Sequence, residues 1–261
     1  MNTRKHISIS QINMYLRCSM QYYYRYIQGL KVQPKSALTL GSAIDTGLNH
    51  NYLQKIETHQ DLKANEVEDA FSTEFESRKI DTFWQKDEDP AEIKDNGVKM
   101  MGAYHKQIAP TVQPIAVQKE IRIEFENFDY DALMYLDLID DTKTIIDTKT
   151  TSKRYKSEDT IPDDHRRQLA FYGFGYRTQN QEPESGLRLD YLHKGTGCEP
   201  FQIPLTYSDE DLRYCHSLLG YVANAVQQKV FIPNRSSFLC SQKWCGYWEL
   251  CAKDIGGRIK L

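Results

Sequence analysis

The chain has 261 residues and a nearly balanced charge, 33 Lys and Arg against 36 Asp and Glu. This length allows one substantial core but no separate motor domain, so any motor is another chain, and the balance excludes anion binding through a global basic field while leaving room for a local basic channel. Residues 1–10 lack the apolar core of a signal peptide and no apolar run is long enough to cross a bilayer, so the chain reads as cytoplasmic and its six cysteines as ligands or buried thiols rather than disulfides.

From the N terminus, Ser10 is the expected cap of a helix through residue 27, with Cys18 inside it and Ile12, Tyr15, Leu16, Tyr23 and Ile27 forming an apolar stripe. Tyr22, Tyr23, Tyr24 and Tyr26 could stack bases, but packing is the plainer reading. Residues 38–57 read as a second helix with His50 on its surface. Residues from about 58 to 110 read as a helical insertion. In it Asn65 caps a helix carrying Val67, Ala70, Phe71 and Phe75. Asp89-Pro90 opens another, carrying Ile93, Met101, Tyr104 and Ile108, and Pro110 closes it. Residues 112–125 then read as the first strand of a sheet.

A hairpin follows. Residues 130–139 alternate apolar and polar, Asp140-Asp141-Thr142-Lys143 is a turn, and residues 144–149 return. Asp147 and Lys149, two apart, project from one face, while Thr148 points away. A loop centred on Thr142 sets Asp137 opposite Asp147, with their Cβ atoms within roughly 5 Å. Two carboxylates that close repel each other unless a cation lies between them. The economical occupant is magnesium or manganese, held by Asp137, Asp147 and the backbone carbonyl of Thr148. Lys149 would then orient or deprotonate a water nucleophile and offset developing negative charge. Glu120 is a candidate further ligand or a partner in a basic channel. Gln168 and Tyr172, four apart on the next predicted helix, share a face.

Residues 186–193 and 199–205 read as strands around Gly195-Thr196-Gly197. Ser208 and Asp211 then open a helix with an apolar stripe of Leu212, Cys215, Leu219, Val222 and Val226. Cys215 is thus a core thiol, and Cys198 has no evident partner. Cys240, Cys245 and Cys251 fall within twelve residues. Three thiolates need a fourth for a closed tetrahedral site, and Cys18 is the candidate.

The ordered series Asp137, Asp147-Thr148-Lys149, then Gln168 and Tyr172 as Q-x-x-x-Y, resembles the PD-(D/E)XK nuclease superfamily, in particular its RecB-like branch. That branch includes the nuclease domains of RecB and AddB and CRISPR-associated exonucleases. The resemblance runs from Cys18 to Cys251. It implies an α/β fold of the restriction-endonuclease type, with a mixed central sheet flanked by helices and an N-terminal helical region. Residues 1–261 would form one nuclease domain, with the insertion at about 58–110 and a cysteine-rich segment at 240–251. Asp137, Asp147 and Lys149 would be catalytic, and Gln168 and Tyr172 would touch the nucleic-acid backbone and help orient Lys149. Where the family has G-x-x-x-H, this chain has Gly41 and then Asp45, so Asp45 stands in the place of a metal-binding histidine. Met134 stands where a glycine is common. Cys18, Cys240, Cys245 and Cys251 resemble the family's 4Fe-4S staple. The family spacing begins C-x-x-C, whereas four residues separate Cys240 from Cys245 here, and zinc on the same thiolates stays open. The implied activity is magnesium- or manganese-dependent exonucleolytic cleavage of single-stranded DNA or DNA ends, beside a helicase or recombination partner. A non-cleaving DNA-binding or assembly subunit is the alternative, because the histidine is missing.

Overall fold

The alternating segment does form the centre of the sheet. In a computed structural model, which describes residues 5–125 and 129–255, the two long strands β3 (Tyr130–Asp140) and β4 (Thr144–Thr151) are joined by a tight turn. Lys143 takes a left-handed φ of 64° there, and the Asp140 side chain accepts from the Thr142 and Thr144 amides, a local bond that sets the turn. Leu138 pairs with Ile146 and Ile139 with Ile145, the register expected of a loop centred on Thr142. Around this pair lie β1 (Lys5–Ser8), β2 (Pro114–Ile123), β5 (Gly186–His193) and β6 (Phe201–Leu205). Strands β2, β4 and β6 run antiparallel to β3, β3 and β5 respectively, while β1 and β5 run parallel to β3 and β4, giving a mixed sheet.

Helices cover both faces. On one lie α1 (Ile9–Arg17), α6 (Asp163–Asn180) and α7 (Asp209–Gln227), packed on Met134, Leu136, Ile145 and Leu189. On the other lie α3 (Ser36–Thr58), α4 (Ala64–Lys79) and α5 (Pro90–Gln107), packed on Leu138, Ile146 and Leu192. The expected stripes are the buried ones: Phe71, Phe75, Met101 and Tyr104 are fully buried, and so is the Cys215 thiol, whose burial pushes its pKa up to about 12. Asp89 and Ser208 cap α5 and α7 as their sequences require.

Four boundaries differ from expectation. Ser8, not Ser10, caps the first helix, because Gln11 completes a capping box with it. Residues before Ser8 form β1, so residues 114–123 are the second strand rather than the first; a four-residue strand leaves too short an alternation to read. Helix α4 begins at Ala64, so Asn65 lies inside its first turn. Cys18 is not inside a helix. Its backbone is extended (φ −169°, ψ 105°), separating α1 from a short α2 (Ser19–Tyr22) and a π-helical turn, Tyr23–Ile27. That break places Cys18 beside the C-terminal segment, whose α8 (Trp248–Ile255) is tied back where Tyr24 donates to Asp254. Of the four tyrosines, Tyr22 and Tyr24 are buried as packing groups.

Met134, at the position of the expected glycine, lies against α6, where Gly175 makes the room: a Cβ there would come 2.6 Å from the Met134 sulfur. The close approach is kept, but the small residue is on the helix. Gly97 of α5 is tighter, since a Cβ would sit 2.2 Å from the buried Phe71 ring. Gly97→Ala gains about 1 kcal/mol of helix propensity but overpacks a closed core at a cost of about 1–3 kcal/mol. We expect a lower thermal midpoint; a raised one in a melting experiment would show that the α3–α5 core yields freely.

Candidate active site

The hairpin strands stay paired for only two residue pairs beyond the turn. Strand β2 occupies one edge of β3 from Ala132 to Asp140, so β4 and β1 must share the other edge, β4 at Leu138–Ile139 and β1 at Tyr130–Leu133. Between them β3 is unpaired on that side, because β4 has swung away to pair with β5 from Thr144 to Thr151. Asp137 and Asp147 are the first residues past the split. At the same level the facing of β3 inverts: Leu136 packs with α6, whereas Leu138 packs with α3 and α5. Gln118 of β2, opposite, takes φ 49°, and Val117 and Ile121 likewise face opposite sides. This irregularity turns the Asp137 carboxylate into the gap.

Asp147 is fully buried and Asp137 half-buried. Burial pushes the Asp137 carboxyl well above the usual range, the Asp147 charge adds to this, and Lys149 opposes it. Lys149 Nζ lies 2.6 Å from Asp147 Oδ2, yet that oxygen has no hydrogen-bond partner by geometry. Burial lowers the Lys149 pKa, but Asp147 and Asp137 outweigh it and hold the ammonium above its ordinary value. The other Asp147 oxygen accepts from Gln168 Nε2 at 2.9 Å, and the same nitrogen donates to the Tyr172 hydroxyl at 2.7 Å. Gln168 therefore positions Asp147 rather than Lys149. Tyr172 is only 4% exposed, and its ring belongs to the core beneath the site.

On the other side of the sheet Asp45 of α3 lines a small cleft with Gln118, Asp137, Thr148, Asn49 and Tyr52. Protein crowded around the Asp45 carboxyl pushes it up to about 6, with Lys149 and Arg78 opposing the shift and Asp147 adding to it. The replaced histidine position thus does face the site. Glu120 does not reach it. It accepts from Tyr135 at 2.8 Å, two residue pairs outward along β2 and β3. His50 is exposed, away from the cleft.

Three contributors carry no motif. Gln118 reaches Asp137 at 3.4 Å, through a backbone conformation no local pattern announces. His165, one turn before Gln168 on α6, bonds Tyr191, the β5 neighbour of Lys149, at 2.9 Å. Asp190, beside Thr148 and fully buried, takes bonds from Arg188, Gln202 and Tyr104, and Tyr104 in turn accepts from Tyr52 in the cleft wall. A buried carboxylate inside a strand was the available signal for Asp190.

The donors fit a hard cation: two close carboxylates that raise one another's cost of charging, a buried Asp147 oxygen that meets the Lys149 charge without a well-aligned hydrogen bond, and the Thr148 residue at the cleft. Among the described residues no three His, Cys, Asp or Glu side chains are close enough to hold one ion by themselves, so other ligands must come from backbone, water or substrate. In a cavity separate from the cleft, of about 120 Å³, Cys18, Cys240, Cys245 and Cys251 form the lining with Arg17, Gln21 and Arg235. This is ample for a group larger than one water. Among the described residues no two cysteines form a disulfide.

A family model for the PD-(D/E)XK nuclease superfamily matches residues 6–252. Among solved structures, a protein from Eubacterium rectale described as "Putative exonuclease" superposes with a TM-score of 0.63 at 14% identity, covering 99% of this chain and 91% of that one, which shows a shared fold. The structure of SSO0001, at 12% identity over 93% and 92% of the two chains, has a TM-score of 0.37 and carries no argument. No curated protein matches the chain.

Gln168 offers the cleanest check on this geometry, because it bonds Asp147, the expected ligand, without carrying a carboxylate of its own. Gln168→Leu keeps the volume and removes the donor to Asp147. Partners of this kind are worth roughly 10–100-fold in metal affinity. Titration calorimetry with manganese should show that weakening, and unchanged affinity would place the cation elsewhere.

Proposed function

The chain belongs to the PD-(D/E)XK nuclease superfamily, and from that premise we propose that it is a metal-dependent DNA exonuclease acting on single strands or DNA ends. The observation that carries the reading is the meeting of Asp137, Asp147 and Lys149 where β3 and β4 part, with Gln168 holding Asp147 from the next helix. Asp137, Asp147, the Thr148 carbonyl and Asp45 would hold magnesium or manganese. When bound, such an ion polarises the phosphodiester and lowers the pKa of water.

The chain's own groups do the rest. Lys149, kept protonated by its acidic neighbours, serves better as a cation and donor than as a base. It offsets charge gathering on the phosphoryl oxygens as water attacks and the P–O ester bond breaks. Asp137, raised by burial and the Asp147 charge, would be held ionised beside a cation and so act as a ligand, while the proton of the attacking water leaves to solvent. Gln168 and buried Tyr172 fix the Asp147 rotamer, so no reorganisation is needed when substrate arrives.

For the cysteines we infer a 4Fe-4S cluster tying α1 and α2 to the C-terminal segment. The four cysteines line one cavity, which is what supports the reading, although among the described residues no three of them stand close enough to hold an ion as placed, and zinc on the same thiolates is the alternative. The cluster's role is structural, since the cysteines and the aspartates line separate cavities. The working setting is beside a helicase or recombination partner in the cytoplasm.

Two experiments test these readings. End-labelled linear single strands, circular single strands and duplex are each incubated with magnesium or manganese. Loss of linear strands alone is expected, and Lys149→Ala should lower turnover by three orders of magnitude or more while strand binding persists. Equal cutting of circles would show an endonuclease, and no cutting by the intact chain would favour the non-cleaving subunit. Separately, protein purified without oxygen should be brown and contain about four irons. Cys18→Ala should lose that iron and melt lower, as Cys245→Ala does. Stoichiometric zinc in the anaerobic protein would overturn the cluster.

A further inference from the structure

A second hollow, of about 360 Å³, opens beside the start of α3 and is lined by Lys35, Ser36, Leu40, Glu88, Lys194 and Trp244. It lies next to the reaction centre. Lys194 follows β5, and its amide donates to the Thr151 carbonyl, two residues past Lys149 on β4. A rise of about 3.3 Å per residue and a strand spacing of about 4.8 Å put the backbones of Lys149 and Lys194 about 11 Å apart. The opposite wall comes from the cysteine-rich segment. Tyr247 donates to the Leu30 carbonyl, Gly246 packs on Val32, and Lys35 donates to the carbonyl of Lys243. This docks Trp244 over the hollow with its ring 43% exposed.

Glu88 gives Lys35 and Lys194 a nearby negative charge but, among the described residues, forms an ion pair with neither. Lys35 and Lys243 lie 5.0 and 5.2 Å from the Trp244 ring centre, held by attraction to its π face. Neither Lys35 nor half-buried Lys194 forms an ion pair among the described residues, and burial lowers the pKa of both. The one nearby carboxylate, Glu88, is turned to the Ser36 hydroxyl and the Gln85 amide at 2.5 and 2.9 Å. Partly desolvated cations without a paired counter-charge are costly unless an anion joins them.

We propose that this hollow is a strand-holding subsite, in which Lys35 and Lys194 take a backbone phosphate and Trp244 takes an unpaired base of single-stranded DNA beyond the scissile bond. The inference rests on the nuclease reading and narrows its substrate to a strand whose bases are free. A duplex offers phosphates, but its bases are already stacked on one another and none is available to an isolated indole. A chain of regularly spaced phosphates also suits the separation, since one strand must occupy both the aspartate cleft and a lysine pair about 11 Å away.

The test is binding without metal, so that cleavage plays no part. Fluorescence anisotropy with a labelled oligothymidylate of about 15 nucleotides, in chelator, compares the intact chain with Lys194→Met, Trp244→Ala and Trp244→Phe. We expect Lys194→Met and Trp244→Ala to weaken strand binding about tenfold, the range for one stacked base. Trp244→Phe should keep most of the affinity. The slope of log Kd against log salt should fall by about 0.7 for Lys194→Met, one phosphate's worth on a single strand. Duplex binding should shift less than twofold. Melting curves separate an unfolded variant from a weakened one, and Trp244→Phe and Lys194→Met keep the bulk that packing requires. Wild-type affinity in both Lys194→Met and Trp244→Ala, equal weakening for duplex, or no strand binding by the intact chain would each overturn the subsite. If the intact chain binds strands through Trp244 yet cuts none with any metal, the subsite stands and the exonuclease reading fails.

Discussion

The structure turns on two carboxylates held together at the point where two strands stop pairing. Asp137 and Asp147 would be poor neighbours inside a continuous hairpin, where nothing polar could come between them. Here β4 leaves β3 after two pairs and continues with β5, while β1 takes over the vacated edge of β3 further along. The sheet remains hydrogen-bonded on both sides of the opening, so the gap is rigid, and the acidic pair faces it. The burial that raises the Asp137 carboxyl, with the Asp147 charge adding to it, is thereby built into the fold and favours a cation or a proton there.

Everything packed around the opening serves to keep it in shape. On one face α6 brings Gln168 to Asp147 and seats Tyr172 and Leu169 in the core, so the donor's position is set by packing rather than by solvent. On the other face α3 brings Asp45, and a buried chain from Tyr52 through Tyr104 to Asp190 braces the helices against β5. Fully satisfied networks of this kind rigidify a site, whereas a half-satisfied one would cost stability. The start of α2 and the C-terminal segment meet in a cavity separate from the cleft, where the extended backbone at Cys18 brings its thiol beside Cys240, Cys245 and Cys251. The same C-terminal segment leans over the start of α3 and carries Trp244 there. The segment that lines the cysteine cavity thus also supplies a wall of the hollow beside α3.

Much of this was legible in the residues. Alternation and the turn at Asp140–Lys143 determined the hairpin and its register, because side-chain period and loop length leave a strand pair one good alignment. The stripes of α4, α5 and α7 identified their buried faces, and the spacing of Gln168 and Tyr172 placed both on one side of a helix. What no local pattern held was the relation between distant parts. The split of β4 from β3 depends on β1, too short to read, and on β5, forty residues on. Gln118's left-handed backbone, the pairing of Gln168 with Asp147 rather than Lys149, the Met134–Gly175 exchange and the nearness of Lys194 to Trp244 all arise from contacts across the chain. Sequence by itself determined which side chains are candidates for the chemistry, and local periodicity determined which strand or helix face presents them. Only the tertiary structure decided which of them meet, because a buried charge takes its partner from whatever element packs against it.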